Sequence, residues 1–410
     1  MENFENENKD REERRRRRKQ KQREQQLKTR RTIVILLSLI VILLIVMVCA
    51  CNRSQQKSSN TETSTQSSTS AEISSSPDSQ QNASEQSTAT TSTQNSTQLP
   101  NPASAKPLAD DDGQSVGQME GSVYVWNKQA FELFYGDPDL AQPYAEFINK
   151  ASETLASDGI KAFSIIVPNH VEFGLPERLK NTDEGVTTLS QAEYISAAYS
   201  SMNPEFAAPI NVYDKLSEHN NEYIYFNSDH HWTGLGAYYA YTAFAEQTGL
   251  TPLSLSDCTE QSIDGFTGSL TNIAESELKE DSVHYWQFPY EVSNTIHTED
   301  GTTYELDSCY SEVSESYGVF LEGDNPLEVI KSESPSATSG KVAIVHESYG
   351  NAFTPYLTYN FSEVYSIDFR SWEGNLGEFC KENGISNVIF LNGVMSSATQ
   401  MQIDSMESIL

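Results

Sequence analysis

Apolar and polar positions divide the chain into segments of very different character. The first 31 residues carry 13 Lys or Arg and 7 Asp or Glu, with almost no apolar side chains, so they cannot bury a core. Residues 32–51, TIVILLSLIVILLIVMVCAC, then run for 20 positions without a charge. As a helix this stretch is long enough to cross a hydrocarbon layer of about 30 Å. The pattern predicts a basic tail over residues 1–31 and a single transmembrane helix over residues 32–51.

The charges that flank this helix predict its orientation. Basic residues crowd the N-terminal side and end at Arg30 and Arg31, whereas only Arg53 and Lys57 lie close to the C-terminal side. Because basic flanks stay in the cytoplasm, we predict a single-pass protein of the cell membrane with an extracellular C-terminal part. A cleaved signal peptide is the alternative, although its apolar region is normally only about 7 to 15 residues long.

A polar tract separates the predicted helix from the rest of the chain. Residues 52–106 are mostly Ser, Thr, Gln, Asn and Ala with scattered Pro, a composition that buries nothing and remains extended. We therefore predict a disordered linker that holds a globular part away from the membrane.

Regular apolar periodicity predicts one α/β domain over residues 107–410. A helical pattern, QPYAEFINKASETLASDG, lies between the strand patterns GSVYVWN and KAFSIIVPN, and EYIYFNS predicts a further strand. Near the C-terminus KVAIVHESYGNAFTPYL, EVYSIDFR and SNVIFLNG resume the alternation of strands and helices that is typical of a parallel sheet. Between about 252 and 335, short pieces such as HYWQFPYEV, TTYELDSCY and YGVFLEG predict an antiparallel β insertion.

Charge and cysteine content narrow the function of this domain. It contains 47 Asp or Glu and 11 Lys or Arg, a formal net charge of −36 with His neutral, which excludes nucleic acid as a partner. Its three cysteines are too few for a disulfide scaffold. One bridge, from Cys258 to Cys309, is compatible with the sequence.

A candidate nucleophile, Ser348, follows the apolar strand in VAIVHESYGNAFTPYL and precedes a helix predicted to begin near Gly350. Ligands of doubly wound sheets bind at the carboxyl ends of the strands, and a helix N-terminus supplies N–H groups for an oxyanion. Such a serine needs a base to become nucleophilic. The alternative is that Ser348 simply caps the helix.

The segment SDHHW offers that base. If it is extended, side chains alternate, so that Asp229 and His231 point to one side and His230 to the other. Asp229 could then orient His231, which would accept the proton of Ser348 as in a catalytic triad. A metal site with His170 as a further ligand is the alternative. That alternative does not explain Ser348, so we expect no metal and no other cofactor.

Several motifs also carry a family resemblance. SDHHWTGLGAYYAY, YGVFLEGDNPLEVI and VHESYGNAFTPYL followed by VYSIDFR resemble the DHHW family of bacterial surface proteins, over about residues 120–395. That family is grouped with SGNH-hydrolase-like proteins and is similar to alginate O-acetylation proteins. The resemblance implies an SGNH-like parallel sheet flanked by helices, with Asp229 as acid, His231 as base and Ser348 as nucleophile. Glu347 stands where the family usually has Asp.

Four further residues are candidates for contact with the substrate or the oxyanion: Tyr349, Asn351, Arg370 and Asn392. Arg370 could bind an anionic oxygen or could pair with an acid such as Asp368. The two asparagines could instead stabilise turns. Trp232 is expected to pack beneath the imidazole, with a platform for sugar stacking as the alternative.

Together these features predict a membrane-anchored, extracytoplasmic serine esterase or O-acyltransferase, with acetyl as the expected acyl group. It would act on a cell-envelope polysaccharide through an acyl-serine, and the resemblance implies a membrane-bound O-acyltransferase as partner. The alternative is a non-catalytic envelope protein that uses the same fold to bind polysaccharide or to scaffold a complex. An enzyme requires the Ser348 hydroxyl about 3 Å from a ring nitrogen of His231.

Overall fold

The computed structural model describes residues 99–410. The predicted basic tail, the transmembrane helix and most of the predicted linker lie outside these residues. No helix within residues 99–410 is both long enough and apolar enough to span a bilayer. The described residues belong to one compact unit.

The described unit contains both β-strands and α-helices. Its strands are β1 (Gln118–Glu120), β2 (Val123–Trp126), β3 (Gln129–Glu132), β4 (Lys161–Val167), β5 (Ala207–Pro209), β6 (Thr259–Phe266), β7 (Asp281–Gln287), β8 (Val292–His297), β9 (Thr303–Leu306), β10 (Leu327–Ser332), β11 (Lys341–His346), β12 (Glu363–Asp368) and β13 (Asn387–Gly393). Its α-helices are α1 (Gln142–Ser157), α2 (His170–Gly174), α3 (Gln191–Ser200), α4 (Tyr213–Glu218), α5 (Gly234–Thr248), α6 (Tyr349–Leu357), α7 (Leu376–Asn383), α8 (Val394–Ser397) and α9 (Gln400–Glu407).

The central sheet has eight strands in the order β5-β4-β13-β11-β12-β10-β8-β9. The first five are mutually parallel, and β10, β8 and β9 continue the sheet in antiparallel fashion. The predicted α/β fold with an antiparallel insertion is therefore present. Much of the insertion extends the parallel sheet, while β6 and β7 pair with each other and β1 to β3 form a separate small sheet.

Burial of both sheet faces explains the apolar runs of the central strands. Every residue of β11 after Lys341 is buried, as is every residue of β13 after Asn387. Strands of a parallel sheet have such continuous apolar sequences because helices cover both faces of the sheet. Here α6 contacts β11, β12 and β13, and α1 contacts β4, so the turn that contains Ser348 is fixed between well-packed elements.

Two predicted strands are wrong. EYIYFNS, residues 222–228, contributes only an isolated bridge between Tyr225 and Trp232, because the carboxylate of Asp281 accepts the backbone N–H groups of Asn227 and Ser228. YGVFLEG, residues 317–323, instead forms a 3₁₀ helix over Tyr317–Val319. The apolar side chains of this segment are buried although its backbone forms a turn. A short apolar run alone does not distinguish a turn from a strand.

The cysteines of the unit are unpaired. Cys258, Cys309 and Cys380 are free thiols, so the bridge that the sequence allowed between the first two does not form in this structure. The fold is stabilised by its apolar core instead, and Cys309 and Cys380 are themselves buried in that core.

Candidate active site

A continuous chain of hydrogen bonds joins Asp229, His231 and Ser348. Nδ1 of His231 lies 2.6 Å from Oδ1 of Asp229, and Nε2 lies 2.7 Å from Oγ of Ser348. An ionised carboxylate can only accept hydrogen bonds, so Nδ1 donates to Asp229 and Nε2 is left to accept the hydroxyl proton of Ser348. The predicted separation of about 3 Å between His231 and Ser348 is confirmed.

The backbone of the SDHHW segment is a turn, and the alternation argument used to place its side chains is wrong. Oδ1 of Asp229 accepts the backbone N–H of His231 at 3.1 Å, which bends the chain and brings both side chains together. His230 does not point away, because its ring lies 3.8 Å from the ring of His231. Burial and the neighbouring His231 lower the pKa of His230 to about 4, so His230 is neutral at pH 7.

Asp229 is held ionised by its surroundings. Burial raises the pKa of its carboxyl, but the hydrogen bond and charge of His231, with the N–H of Ser269 at 2.8 Å, outweigh burial and hold that pKa well below its usual value. Gly268 makes this contact geometrically feasible, since a Cβ at this position would lie 2.4 Å from the Cβ of Asp229. Neither Gly268 nor Ser269 was identified from the sequence.

Ser348 lies at the junction between β11 and α6. It occupies the N-cap position of α6, but its hydroxyl makes no capping hydrogen bond and faces His231 instead, which contradicts the capping alternative. Gly350 allows the turn to stay tight, because a Cβ there would lie 2.2 Å from the ring of His346. His346 itself is buried and bonds to Ser366 on β12.

Glu347 forms a bracket across the end of the sheet. Its carboxylate accepts the N–H of Tyr349 at 2.9 Å and the N–H of Gly393 at 2.7 Å. It therefore ties the first turn of α6 to the end of β13. In this arrangement the Tyr349 N–H is not available to an oxyanion, whereas the N–H of Ser348 has no acceptor among residues 99–410.

Two aromatic residues, Tyr317 and Trp232, contact the segments around Ser348. The ring of Tyr317 stacks on His231 at 4.0 Å and an interplanar angle of 7°, and its hydroxyl donates to the carbonyl of Ser348. Trp232 is fully buried, and its Nε1 donates to the carbonyl of Tyr349 at 3.0 Å. The indole packs against Tyr349 and Phe353 and not beneath the imidazole, where Tyr317 lies instead, so the predicted position of Trp232 is wrong. Its burial also contradicts the alternative of a sugar platform.

A cavity of about 220 Å³ opens at Ser348. Of the four further candidates for contact with the substrate, Tyr349 and Arg370 line it. Arg370 is paired with Asp368 through two hydrogen bonds and with Asp324 at 3.0 Å. The guanidinium is thus already neutralised by two carboxylates.

Asn351 and Asn392 do not line this cavity. Asn351 is buried and donates to Asp324 at 2.9 Å, and Asn392 is buried under α1, where its Oδ1 accepts the hydroxyl of Tyr144. Side chains alternate along a strand, so Asn392 faces α1 whereas Gly393 reaches the cavity. Contact of either asparagine with the substrate, as expected from the sequence, is therefore wrong for this structure.

The structure brings together three of the four residues of the alternative metal site. Among the described residues, Asp229, His230 and His231 could offer ligand atoms within 4.8 Å of one another, while His170 lies elsewhere and stacks on Tyr225. Both ring nitrogens of His231 are already occupied by Asp229 and Ser348. The arrangement fits acyl chemistry better than ligation.

Glu132 and Gln402 are among the polar residues that line the cavity, and the sequence analysis did not identify them. Glu132 ends a short strand, and Gln402 lies in α9, a helix that was not predicted. No local motif marks either residue. Only the path of the chain brings them to Ser348.

Comparisons with known proteins identify the family and the relatives of this chain. The sequence profile described as DHHW protein matches residues 60–367. A DHHW family protein from Eubacterium siraeum is 26% identical, with a TM-score of 0.64 over 72% of this chain and 99% of that chain. Bacillus cereus PatB1, solved with a sulfonyl adduct, is 18% identical, with a TM-score of 0.57 over 68% of this chain and 97% of that chain. The O-acetyltransferase domain of Pseudomonas putida AlgJ is 15% identical, with a TM-score of 0.39 over 72% and 98%. No curated protein sequence gives a significant match.

Proposed function

Since the chain belongs to the DHHW family, we propose that it is a serine enzyme that transfers or hydrolyses acyl groups. In this proposal Ser348 is the nucleophile, His231 the general base and Asp229 the group that orients His231. The observation that carries it is the hydrogen-bonded chain from Asp229 through His231 to Ser348. A non-catalytic protein would not need that alignment, and no observation favours it.

Acylation follows from this geometry. Nε2 of His231 removes the hydroxyl proton as Oγ of Ser348 attacks the acyl carbonyl, and the resulting oxyanion accepts a hydrogen bond from the N–H of Ser348, which has no other acceptor among the described residues. Collapse of the tetrahedral intermediate expels the donor oxygen, which takes the proton from His231. Asp229 remains ionised throughout and stabilises the imidazolium.

Deacylation repeats the same steps with a new acceptor. A hydroxyl gives its proton to Nε2 of His231 and attacks the acyl-serine, and Ser348 regains its proton when the ester bond to it breaks. A sugar hydroxyl as acceptor gives a transferase, and water gives an esterase. We propose a carbohydrate acceptor, since polar side chains from several elements surround the cavity.

The cellular setting is also proposed. A transmembrane helix over residues 32–51 would anchor the protein, with the acidic domain outside the cell and the linker over residues 52–106 as spacer. The acyl group would be acetyl, the acceptor a cell-envelope polysaccharide, and the donor would come from a membrane-bound O-acyltransferase. These points depend on the family resemblance and on the charge pattern of the sequence.

Covalent labelling tests the nucleophile. PatB1 carries a sulfonyl adduct, and sulfonyl fluorides sulfonylate activated nucleophiles. We expect phenylmethanesulfonyl fluoride to modify Ser348 and to stop hydrolysis of p-nitrophenyl acetate, and Ser348→Ala to lower that hydrolysis by about 10³-fold or more. Peptide mass spectrometry locates the adduct.

Ser396→Ala is the matched control, because Ser396 lines the same cavity, whereas the imidazole of His231 bonds to Ser348. That variant should still be labelled at Ser348. An adduct on another residue, or unchanged ester turnover in Ser348→Ala, would reject the assignment.

A further inference from the structure

Two polar side chains that face the Ser348 cavity have no partner within the described chain. The carboxylate of Glu132 accepts no hydrogen bond, although its backbone carbonyl accepts Nδ2 of Asn169 at 3.2 Å. The amide oxygen of Gln402 is buried and is also unpaired among residues 99–410. Buried polar groups are normally hydrogen-bonded, and Glu132 is itself half-buried, so both groups are suited to bind a polar ligand.

The other charged groups of the cavity are already satisfied. Arg370 is held by Asp368 and Asp324, and Glu347 accepts two backbone N–H groups. His230 is neutral at pH 7 because its pKa is low. The net charge that a ligand meets at this cavity is therefore negative.

We propose that Glu132 and Gln402 form an acceptor subsite in the cavity that Ser348 lines and select a carbohydrate that presents hydroxyl or ammonium groups, while rejecting uronate sugars. The inference depends on the proposed acyl transfer for its role in catalysis, and it adds the class of acceptor. A sugar hydroxyl or ammonium donates a charge-assisted hydrogen bond to a carboxylate. A uronate would instead place a second negative charge in the same small cavity.

Two further observations agree with this assignment. Burial, followed by the nearby Asp229, raises the pKa of Glu132, so a donor or a cation at its carboxylate relieves an unfavourable charge. Met395 lines the cavity and is 39% exposed, which gives a sugar ring an apolar edge to contact beside the polar groups.

Matched oligosaccharides test the acceptor class. The full chain is given p-nitrophenyl acetate as donor and one of three oligosaccharides of equal length: a cello-oligosaccharide, a chitosan oligosaccharide or an oligogalacturonate. We expect the KM for the oligogalacturonate to exceed the other two by at least about tenfold. In Glu132→Gln this ratio should fall by about tenfold, whereas Glu153→Gln, the same change at an exposed site on α1, should leave the ratio unchanged.

A binding measurement separates this inference from the proposed chemistry. Ser348→Ala is titrated with the same three oligosaccharides by calorimetry, and the same order of affinities is expected. If the order is present but no acyl-serine forms in the unmutated chain, acyl transfer is rejected and the subsite is retained. Equal affinity for oligogalacturonate, or a ratio that Glu132→Gln does not move, overturns the subsite.

Discussion

At the scale of single residues, His230 and His231 show how neighbours of the same type acquire different roles. His231 bridges Asp229 and Ser348, whereas Nδ1 of His230 bonds to Ser269 at 2.9 Å and its backbone carbonyl accepts the hydroxyl of Tyr349. His230 therefore lies beside the proposed proton path without being part of it.

We predict very different losses of activity from the two histidines. His231→Ala removes the proposed base and should lower kcat for p-nitrophenyl acetate by about 10³-fold, whereas His230→Ala should lower it by less than about tenfold. Steady-state kinetics on both purified variants provide the measurement. Equal losses would point to a metal held by both rings. Metal analysis of the purified protein would then decide between a metal site and the proposed Ser348 site.

Some residues of the site could be predicted from the sequence and others could not. Asp229 and His231 could be predicted from the sequence because they lie in one short motif, although a turn and not alternation brings them together, and Ser348 because a strand leads into a helix at that point. Asp281, Tyr317 and Glu132 could not be predicted, since each reaches the site through a contact distant in sequence. Short-range periodicity contains no information on such contacts.

At the scale of elements, the apolar runs of β11, β12 and β13 were sufficient to predict the parallel centre of the sheet. The partners of β8 and β10 could not be predicted. Alternating strands specify a buried face but not the neighbour with which they pair. Their pairing places Glu328 of β10 beside Asn294 of β8, where Glu328 is 1% exposed.

Glu328 should make stability depend on pH. Burial raises its pKa to about 8, against the opposing hydrogen bonds from Asn294 and Asn325. Because the pKa is higher in the folded state, the contribution of Glu328 is fully present below its unfolded pKa of about 4.3 and is lost as pH rises towards 8. We expect Glu328→Gln, which cannot ionise, to have a Tm about 5 °C less sensitive to a change from pH 5 to pH 8.5 than the unmutated protein.

Differential scanning calorimetry over that pH range measures this difference. Glu333→Gln removes an exposed carboxylate just beyond β10 and should follow the unmutated protein at each pH. Parallel curves for Glu328→Gln and the unmutated protein would show that Glu328 does not retain its proton in the fold.

At the scale of the whole molecule, the net charge of −36 on residues 107–410 acts at longer range than the Ser348 cavity. Repulsion between exposed charges is screened over about 8 Å at physiological ionic strength. At high salt the discrimination against anionic polymers that arises from the surface charge should therefore disappear. The discrimination that arises from direct contact with Glu132 should persist.

Salt should separate these two contributions. Raising NaCl from about 20 mM to about 500 mM should lower the KM for an oligogalacturonate severalfold and leave that for a cello-oligosaccharide unchanged. The remaining preference at high salt should respond to Glu132→Gln. If salt removes the preference completely, the surface charge alone accounts for it.

The hydrogen bonds of Glu347 to Tyr349 and Gly393 affect when, during folding, Ser348 can become reactive. Gly393 lies 45 residues after Ser348, near the end of the chain, and His231 lies 117 residues before it. With Ser348 as the proposed nucleophile, a partly synthesised or partly folded chain contains an ordinary alcohol at this position, and we expect its nucleophilicity only when β13 is in place. Reaction with an ester probe can consequently serve as an assay of completed folding.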